Sequence, residues 1–441
     1  MAVFSSLIPF VGVMAMPVVF LAGVCSMYAI SWTAYLLLAQ QDIPSYVAMA
    51  PPPLAQFIPF VPFLPYRCYK VTRAIILYTW TCLCNLHVLS DWLQLYVHAS
   101  KAGEADALYC VSMPYAIPFS DKKKLDIFPV RHKKIPGLSQ RNSQQTVPVL
   151  VFVPFPIVPL TASSHRKVYL QVARTMSSKS YCVVIPDITY YPKARIRESV
   201  VDLRLALSWV GANISSYGGD PSRIYLMGFR NSAHLVLLTL IQEAVVLSRA
   251  LTTHHHSSSP RQTEKSLRNM VQSGDANAAA HGALHERIKG LEIYVPQVRL
   301  PPLAGVVLLA GITDVVKAYQ HELDLGIEHI SFLRRAVGPA HDVCLLHSPT
   351  HLLVESRGIL DAAFLPPKFL LLHGGKDAMV SIDHATLLST LLKDAGVGQV
   401  DLRAYRNLGH TDTLTSLLGV LRPNRSSYAS QICDDLNKFL V

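Results

Sequence analysis

The pattern of apolar and charged positions divides this chain into two regimes. From Met1 to Gln41 no residue is charged, and before residue 101 only Asp42, Arg67, Lys70, Arg73 and Asp91 are. The apolar run from Leu7 to Ala39 exceeds the roughly 20 residues that cross a bilayer. Pro17 is expected to break a single helix, so the best predicted span is residues 18–39. A cleaved signal peptide is the alternative. Against it stand an n-region without Lys or Arg and an apolar stretch beyond the usual length of about 7–15 residues. Between Ile43 and Tyr66, the prolines at 44, 51, 52, 53, 59, 62 and 65 forbid a regular helix and predict an extended, greasy linker. A second apolar helix is expected over 74–97, its core at Ala74–Ser90, behind Arg67, Lys70 and Arg73. It reads equally as a second span, an interfacial helix or a core helix.

From residue 146 the pattern changes to short apolar runs separated by helical periodicity. Strands are predicted at 147–153, 181–185, 223–227, 305–310, 368–373 and 400–405. Helices fall between them at about 166–175, 197–210 and 232–247. Uninterrupted apolar strands alternating with helices imply a doubly wound, mostly parallel sheet covered on both faces. In such sheets the chemistry gathers just beyond the carboxyl ends of the strands.

Composition sharpens this division. The chain is 51% apolar and 16% charged, against roughly 25% charged in an average soluble protein. Its net charge of +11 permits an anionic partner. Lys122, Lys123, Lys124, Arg131, Lys133 and Lys134 make 101–145 a basic linker, either simply solvated or attracted to anionic lipid. No aromatic interleaving or nucleic-acid module accompanies these cations, so a nucleic-acid partner is not expected. Eight cysteines without a C-x-x-C pair argue against zinc ribbons and thioredoxin-type chemistry. The insertion 248–300 holds His254, His255 and His256 and a predicted helix over 263–272, and reads as a solvated loop or part of a lid. The adjacent histidines lack i, i+4 ligand spacing, and His281 and His285, which have it, lack a third ligand. No metal or cofactor is expected. Asn213-Ile214-Ser215 and Asn424-Arg425-Ser426 are glycosylation acceptors if this domain is lumenal.

One stretch carries a specific resemblance. Trp209-Val210, then Tyr217-Gly218-Gly219-Asp220-Pro221-Ser222-Arg223-Ile224-Tyr225-Leu226-Met227-Gly228, then Ala233-His234-Leu235 resemble the α/β-hydrolase esterase superfamily. Within it the likeness is to the membrane-anchored isoprenylcysteine methylesterase-like and kynurenine formamidase-like branch, whose nucleophile signature reads G-H-S-A-G-A-H-L. Ile185-Pro186-Asp187, Tyr190-Tyr191-Pro192 and Ser348-Pro349-Thr350 fit as well, and the resemblance covers 146–441. It implies an α/β-hydrolase fold behind an N-terminal membrane-associated region, in the endoplasmic reticulum membrane. The implied partners are membrane lipid and a hydrophobic ester or an anionic small molecule. Following the family's order of nucleophile, acid and base, Asp377 after one strand is the acid position and His410 after the last strand is the base position.

The nucleophile position, two residues after Gly228, holds Arg230. A guanidinium is a permanent cation with no lone pair to attack an acyl carbon. The segment expected to donate oxyanion N–H groups reads Pro154-Phe155-Pro156-Ile157-Val158-Pro159, and proline has no N–H to give. The sequence therefore predicts an esterase-derived protein with acid and base retained and hydrolysis impaired or lost. Two alternatives stay open: an active carboxylic-ester hydrolase using Ser232, and a non-catalytic ligand-binding or scaffolding protein. Arg230 is expected to project toward Asp377 and either pair with it or bind an anion.

Overall fold

A computed structural model describes residues 2–38, 62–84, 111–116, 123–130, 146–155, 166–257, 298–331, 333–338, 341–418 and 427–440, with a few positions between 86 and 97. They fall into two compact units, one formed by 1–85 with 319–335, the other by 86–318 with 336–441.

The smaller unit is built on two helices, α1 (Ala2–Leu38) and α2 (Pro65–Cys84). The expected break at Pro17 does not occur, and α1 runs unbroken through Pro9 and Pro17. Each proline removes one backbone bond and crowds the preceding turn at a local cost of about 3 kcal/mol, which the remaining bonds of a 37-residue helix offset. The two ends of the expected 18–39 span differ. Met16, Val18, Val19, Phe20 and Leu21 are 63–74% exposed, whereas Ser31 and Tyr35 are fully buried. One side of α1 toward Leu38 meets protein through polar contacts, while Leu36 and Leu37 stay exposed. Thr72 donates to the Met27 carbonyl at 2.9 Å, Trp32 Nε1 to the Pro62 carbonyl at 2.9 Å, and Tyr35 to the Gly326 carbonyl at 3.1 Å. Arg335 donates to the Leu38 carbonyl at 2.8 Å, closing the end of α1. Arg67 pairs with Glu328, which is itself buried, and Tyr35 packs with Val71 and Ile330. The second apolar helix starts nine residues earlier than expected, at Pro65, where proline is tolerated because the first-turn N–H has no helical partner anyway. Most of the proline-rich segment and most of 85–100 lie outside the described residues.

The larger unit holds one eight-stranded sheet. Its strands are β1 (Val111–Ala116), β2 (Lys123–Phe128), β3 (Val147–Val153), β4 (Cys182–Pro186), β5 (Gly219–Phe229), β6 (Gly305–Leu309), β7 (Lys368–Gly374) and β8 (Gln399–Tyr405). Their order across the sheet is β1-β2-β4-β3-β5-β6-β7-β8. Strands β3 to β8 are parallel, as the uninterrupted apolar runs require, and β2 pairs antiparallel with both β1 and β4. Here the expected basic linker is corrected, since two of its segments are strands of the sheet. Lys123 carries its ammonium to the buried Asp202, and Asp126 takes a bond from Ser112 and an ion pair from Arg166, while Leu125, Ile127 and Phe128 enter the core. Partnering lets charged residues stand in a half-buried strand.

Helices α3 (Leu170–Ser177), α4 (Ile196–Asn213) and α5 (Asn231–Ser257) occupy the predicted places. α5 outruns its prediction by ten residues and takes up the start of the expected insertion. The predicted helix over 263–272, His281 and His285 lie outside the described residues, as do the side chains of His254, His255 and His256. Asn424 does too.

Candidate active site

The turn from β5 into α5 places the first functional side chain. Arg230 sits alone between strand and helix with φ of 51°, a left-handed conformation that a non-glycine residue adopts only under constraint. Three contacts impose it. The Arg230 N–H donates to the Leu309 carbonyl on β6 at 2.9 Å, and the His234 N–H donates to the Arg230 carbonyl at 3.1 Å. Ser232 Oγ accepts from the Phe229 N–H and donates to the Phe229 carbonyl, both at 2.9 Å. The helix approaches so closely that a Cβ at Gly228 would lie 2.7 Å from the Ala233 nitrogen, so glycine is required there. This is a nucleophile-elbow backbone with a guanidinium at its tip.

The structure brings Asp377 and His410 together. Asp377 lies in the turn after β7 and His410 in the turn after β8, and the His410 Nδ1–H donates to Asp377 Oδ2 at 2.7 Å. The N–H groups of Met379 and Val380 donate to Asp377 Oδ1 at 2.8 and 2.9 Å, and its side chain is 1% exposed. Burial alone would raise its pKa, but the bond and charge of His410 and these backbone donors outweigh burial and hold the carboxyl below its ordinary range. His410 is also buried. Burial, then the nearby Arg230 and His373, push its pKa down against the opposing pull of Asp377, so the ring is neutral at pH 7. With Nδ1–H committed to Asp377, Nε2 carries the lone pair, and it has no partner among the described residues. That is the atom from which a base would act.

Two expectations for the other residues are corrected. Arg230 makes no ion pair with Asp377, whose oxygens are taken by His410 and the two backbone donors, and Arg230 Nε is buried without a partner among the described residues. Ser232 is fully buried and spends its hydroxyl on Phe229, both giving and accepting, so it closes the turn rather than facing His410. The alternative of an esterase using Ser232 therefore has no geometry behind it.

Other residues around the site receive no side-chain role from the sequence. The Phe229 ring lies 5.4 Å from the His410 ring between centroids, and the Phe155 ring 5.3 Å from Phe229, forming an apolar wall beside the base. Tyr190 donates to the Pro154 carbonyl at 2.7 Å and Tyr169 to the Phe155 carbonyl at 2.6 Å, which ties down the chain leaving β3. The Phe155 N–H points back to the Tyr169 hydroxyl at 3.4 Å. Residues 156–159 of the segment expected to donate oxyanion N–H groups lie outside the described residues. The N–H of Asn231, first in α5, has no partner within the helix. Pattern reading passes over Phe229 and Phe155 because an aromatic at a strand end looks like core. Among the described residues no cluster of three or more His, Cys, Asp or Glu could hold a metal ion.

A family model described as BD-FAE matches residues 140–392. An isoprenylcysteine alpha-carbonyl methylesterase from Arabidopsis thaliana is 36% identical over 237 residues, which cover 54% of this chain and 44% of the relative. Esterase LipQ from Mycobacterium tuberculosis is 23% identical over 277 residues, covering 61% of this chain and 51% of the relative. The chain thus spans about half the length of these curated relatives. Among solved structures, esterase B from Lactobacillus Rhamnosis aligns over 80% of this chain and 93% of its own, at 14% identity and a TM-score of 0.48.

Proposed function

This chain belongs to the BD-FAE family of α/β-hydrolase esterases, and from that premise we propose that it is a membrane-anchored member whose ancestral ester-hydrolysing site no longer turns esters over. Arg230 at the elbow carries the reading. It removes the attacking atom, and it also opposes the base. A hydrolase base becomes an imidazolium as it accepts the nucleophile's proton, and a guanidinium beside the ring disfavours that charge. Losing a triad nucleophile costs about 10⁶ in kcat. The tethered chain after β3 supports the same conclusion, because the Phe155 N–H is turned to Tyr169. What survives is a buried Asp377–His410 pair, an apolar wall and a cation, which suits a binding site better than a hydrolytic one.

The anchor reading rests on α1, whose exposed apolar residues from Met16 to Leu21 have no protein to cover them among the described residues. Toward Leu38 only Ser31 and Tyr35 turn fully to protein while Leu36 and Leu37 stay exposed, so the proposed bilayer segment is Met16–Leu38. The endoplasmic reticulum membrane is the proposed location, on the family resemblance.

The full chain in non-ionic detergent tests this with p-nitrophenyl butyrate. No hydrolysis above buffer is expected from the wild type or from Ser232→Ala. Turnover by the wild type that disappears in His410→Gln would overturn the proposal.

A further inference from the structure

We propose that the elbow is a receptor for the carboxylate of an apolar acid, and that the anion enters together with one proton that settles on His410 Nε2. This deepens the reading of a non-hydrolytic site and rests on it.

Two groups at the site lack partners, and their demands are opposite. Arg230 offers donors and a positive charge, with Nε buried and unpartnered among the described residues. His410, 8% exposed, presents an unpartnered Nε2 on the side of the ring away from Asp377. The elbow opens a 27-residue helix whose first N–H groups have no helical partner, so the site adds the favourable end of a helix dipole to the Arg230 charge. A neutral ester offers only acceptor oxygens, leaving the guanidinium charge uncompensated and the Nε2 lone pair facing oxygen. A carboxylate compensates the charge through a guanidinium fork. Its second oxygen meets Nε2 favourably only when a proton lies between them, so the balanced step is carboxylate plus proton plus neutral His410 giving carboxylate bound to imidazolium. Phe229 and Phe155 supply the apolar side for the acid's chain.

The groups around His410 set the proton's behaviour. Asp377 favours the imidazolium, while Arg230 and His373 oppose it. Asp412, at the start of the helix that follows, accepts from the Gly409 N–H. A bound carboxylate offsets Arg230, the largest opposing charge, so anion and proton enter together and binding strengthens as pH falls toward the ordinary histidine range.

Titration calorimetry on the full chain in non-ionic detergent, with sodium hexanoate as probe, hexanamide as its neutral counterpart and hexyl phosphate as the competing oxyanion, decides this. Running hexanoate at pH 7 in PIPES and in ACES, which differ in protonation heat, counts the protons taken up. Hexanoate is expected to bind with uptake approaching one proton, hexanamide at least tenfold more weakly, and hexyl phosphate no more tightly than hexanoate. Arg230→Met should lose at least tenfold in hexanoate affinity, and His410→Gln should abolish the uptake. Equal binding of hexanamide, unchanged affinity in a folded Arg230→Met, or no proton uptake by the wild type would overturn the inference, and tighter hexyl phosphate would overturn its assignment to carboxylates. Should Arg230→Met fail to fold, the hexanoate and hexanamide comparison on the wild type still decides. Wild-type hydrolysis of p-nitrophenyl butyrate bears on the non-hydrolytic reading, whereas absent hydrolysis with absent hexanoate binding overturns this inference alone.

Discussion

Lowering the pH from 7 to 4 is expected to take about 3 kcal/mol from the stability of the larger unit through one side chain, His234. It lies on α5 one turn beyond Arg230, is 2% exposed, and holds its Nε2 2.7 Å from the His347 carbonyl. Burial first, then the neighbouring His347 and His384, push its pKa from 6.5 to about 4, although the bond to the carbonyl pulls the other way. The unfolded chain therefore binds a proton near pH 6.5 that the folded protein refuses until about pH 4. Between those values the unfolded state holds more protons, so stability rises with pH and is lost on acidification. The full gap of about 2.5 pH units is worth about 3.5 kcal/mol at about 1.4 kcal/mol each, and about 3 kcal/mol of it is lost by pH 4, where folded His234 is half protonated. His347, His410 and Asp377 shift in the direction that adds to the loss. Denaturant unfolding of the wild type and His234→Gln at pH 7, 5.5 and 4 measures it. The variant should be less stable at pH 7, and its deficit should vanish or reverse by pH 4. Parallel losses in both proteins would refute the assignment.

Three other outcomes follow from the same geometry. Ser232→Ala should cost about 1 kcal/mol in thermal unfolding, because the Phe229 N–H and carbonyl lose their local partner. Arg67→Ala leaves Glu328, whose side chain is 9% exposed, with only His329 nearby at 3.5 Å among the described residues. Because Arg67 itself is 39% exposed, the loss should be only about 1–2 kcal/mol, read as a lower unfolding temperature of the full chain in detergent. Deleting residues 2–38, which include the exposed apolar stretch of α1, should release the chain from membranes on alkaline carbonate extraction, whereas the full chain should stay in the membrane pellet.

The parallel part of the sheet was legible because strands buried on both faces must be continuously apolar, as 147–153 and 305–309 are. β2 was not, since Lys123-Lys124-Leu125-Asp126 reads as solvated until Asp202 and Arg166 are seen to neutralise its charges. That Asp377 and His410 end up side by side was legible in their places just after β7 and β8. The fate of Arg230 was not, because whether a guanidinium reaches a carboxylate depends on how Met379 and Val380 already occupy it. Pro17 misled because a rule for isolated helices in water overstates its weight inside a long apolar one.

On the proposed reading, Asp377 and His410 remain arranged for chemistry and Arg230 is what blocks it. Labelling by a fluorophosphonate probe, followed by intact mass, tests it on the wild type, Arg230→Ser and Arg230→Ser with His410→Gln. Restoring a hydroxyl would recover about 10⁶, and the weakened oxyanion donors would forfeit about 10²–10³ of it, so Arg230→Ser should label roughly 10³-fold faster than the wild type or more. The double variant should fall back to the wild-type rate. Labelling of the wild type as fast as Arg230→Ser, or labelling of the double variant as fast as the single, would contradict the account.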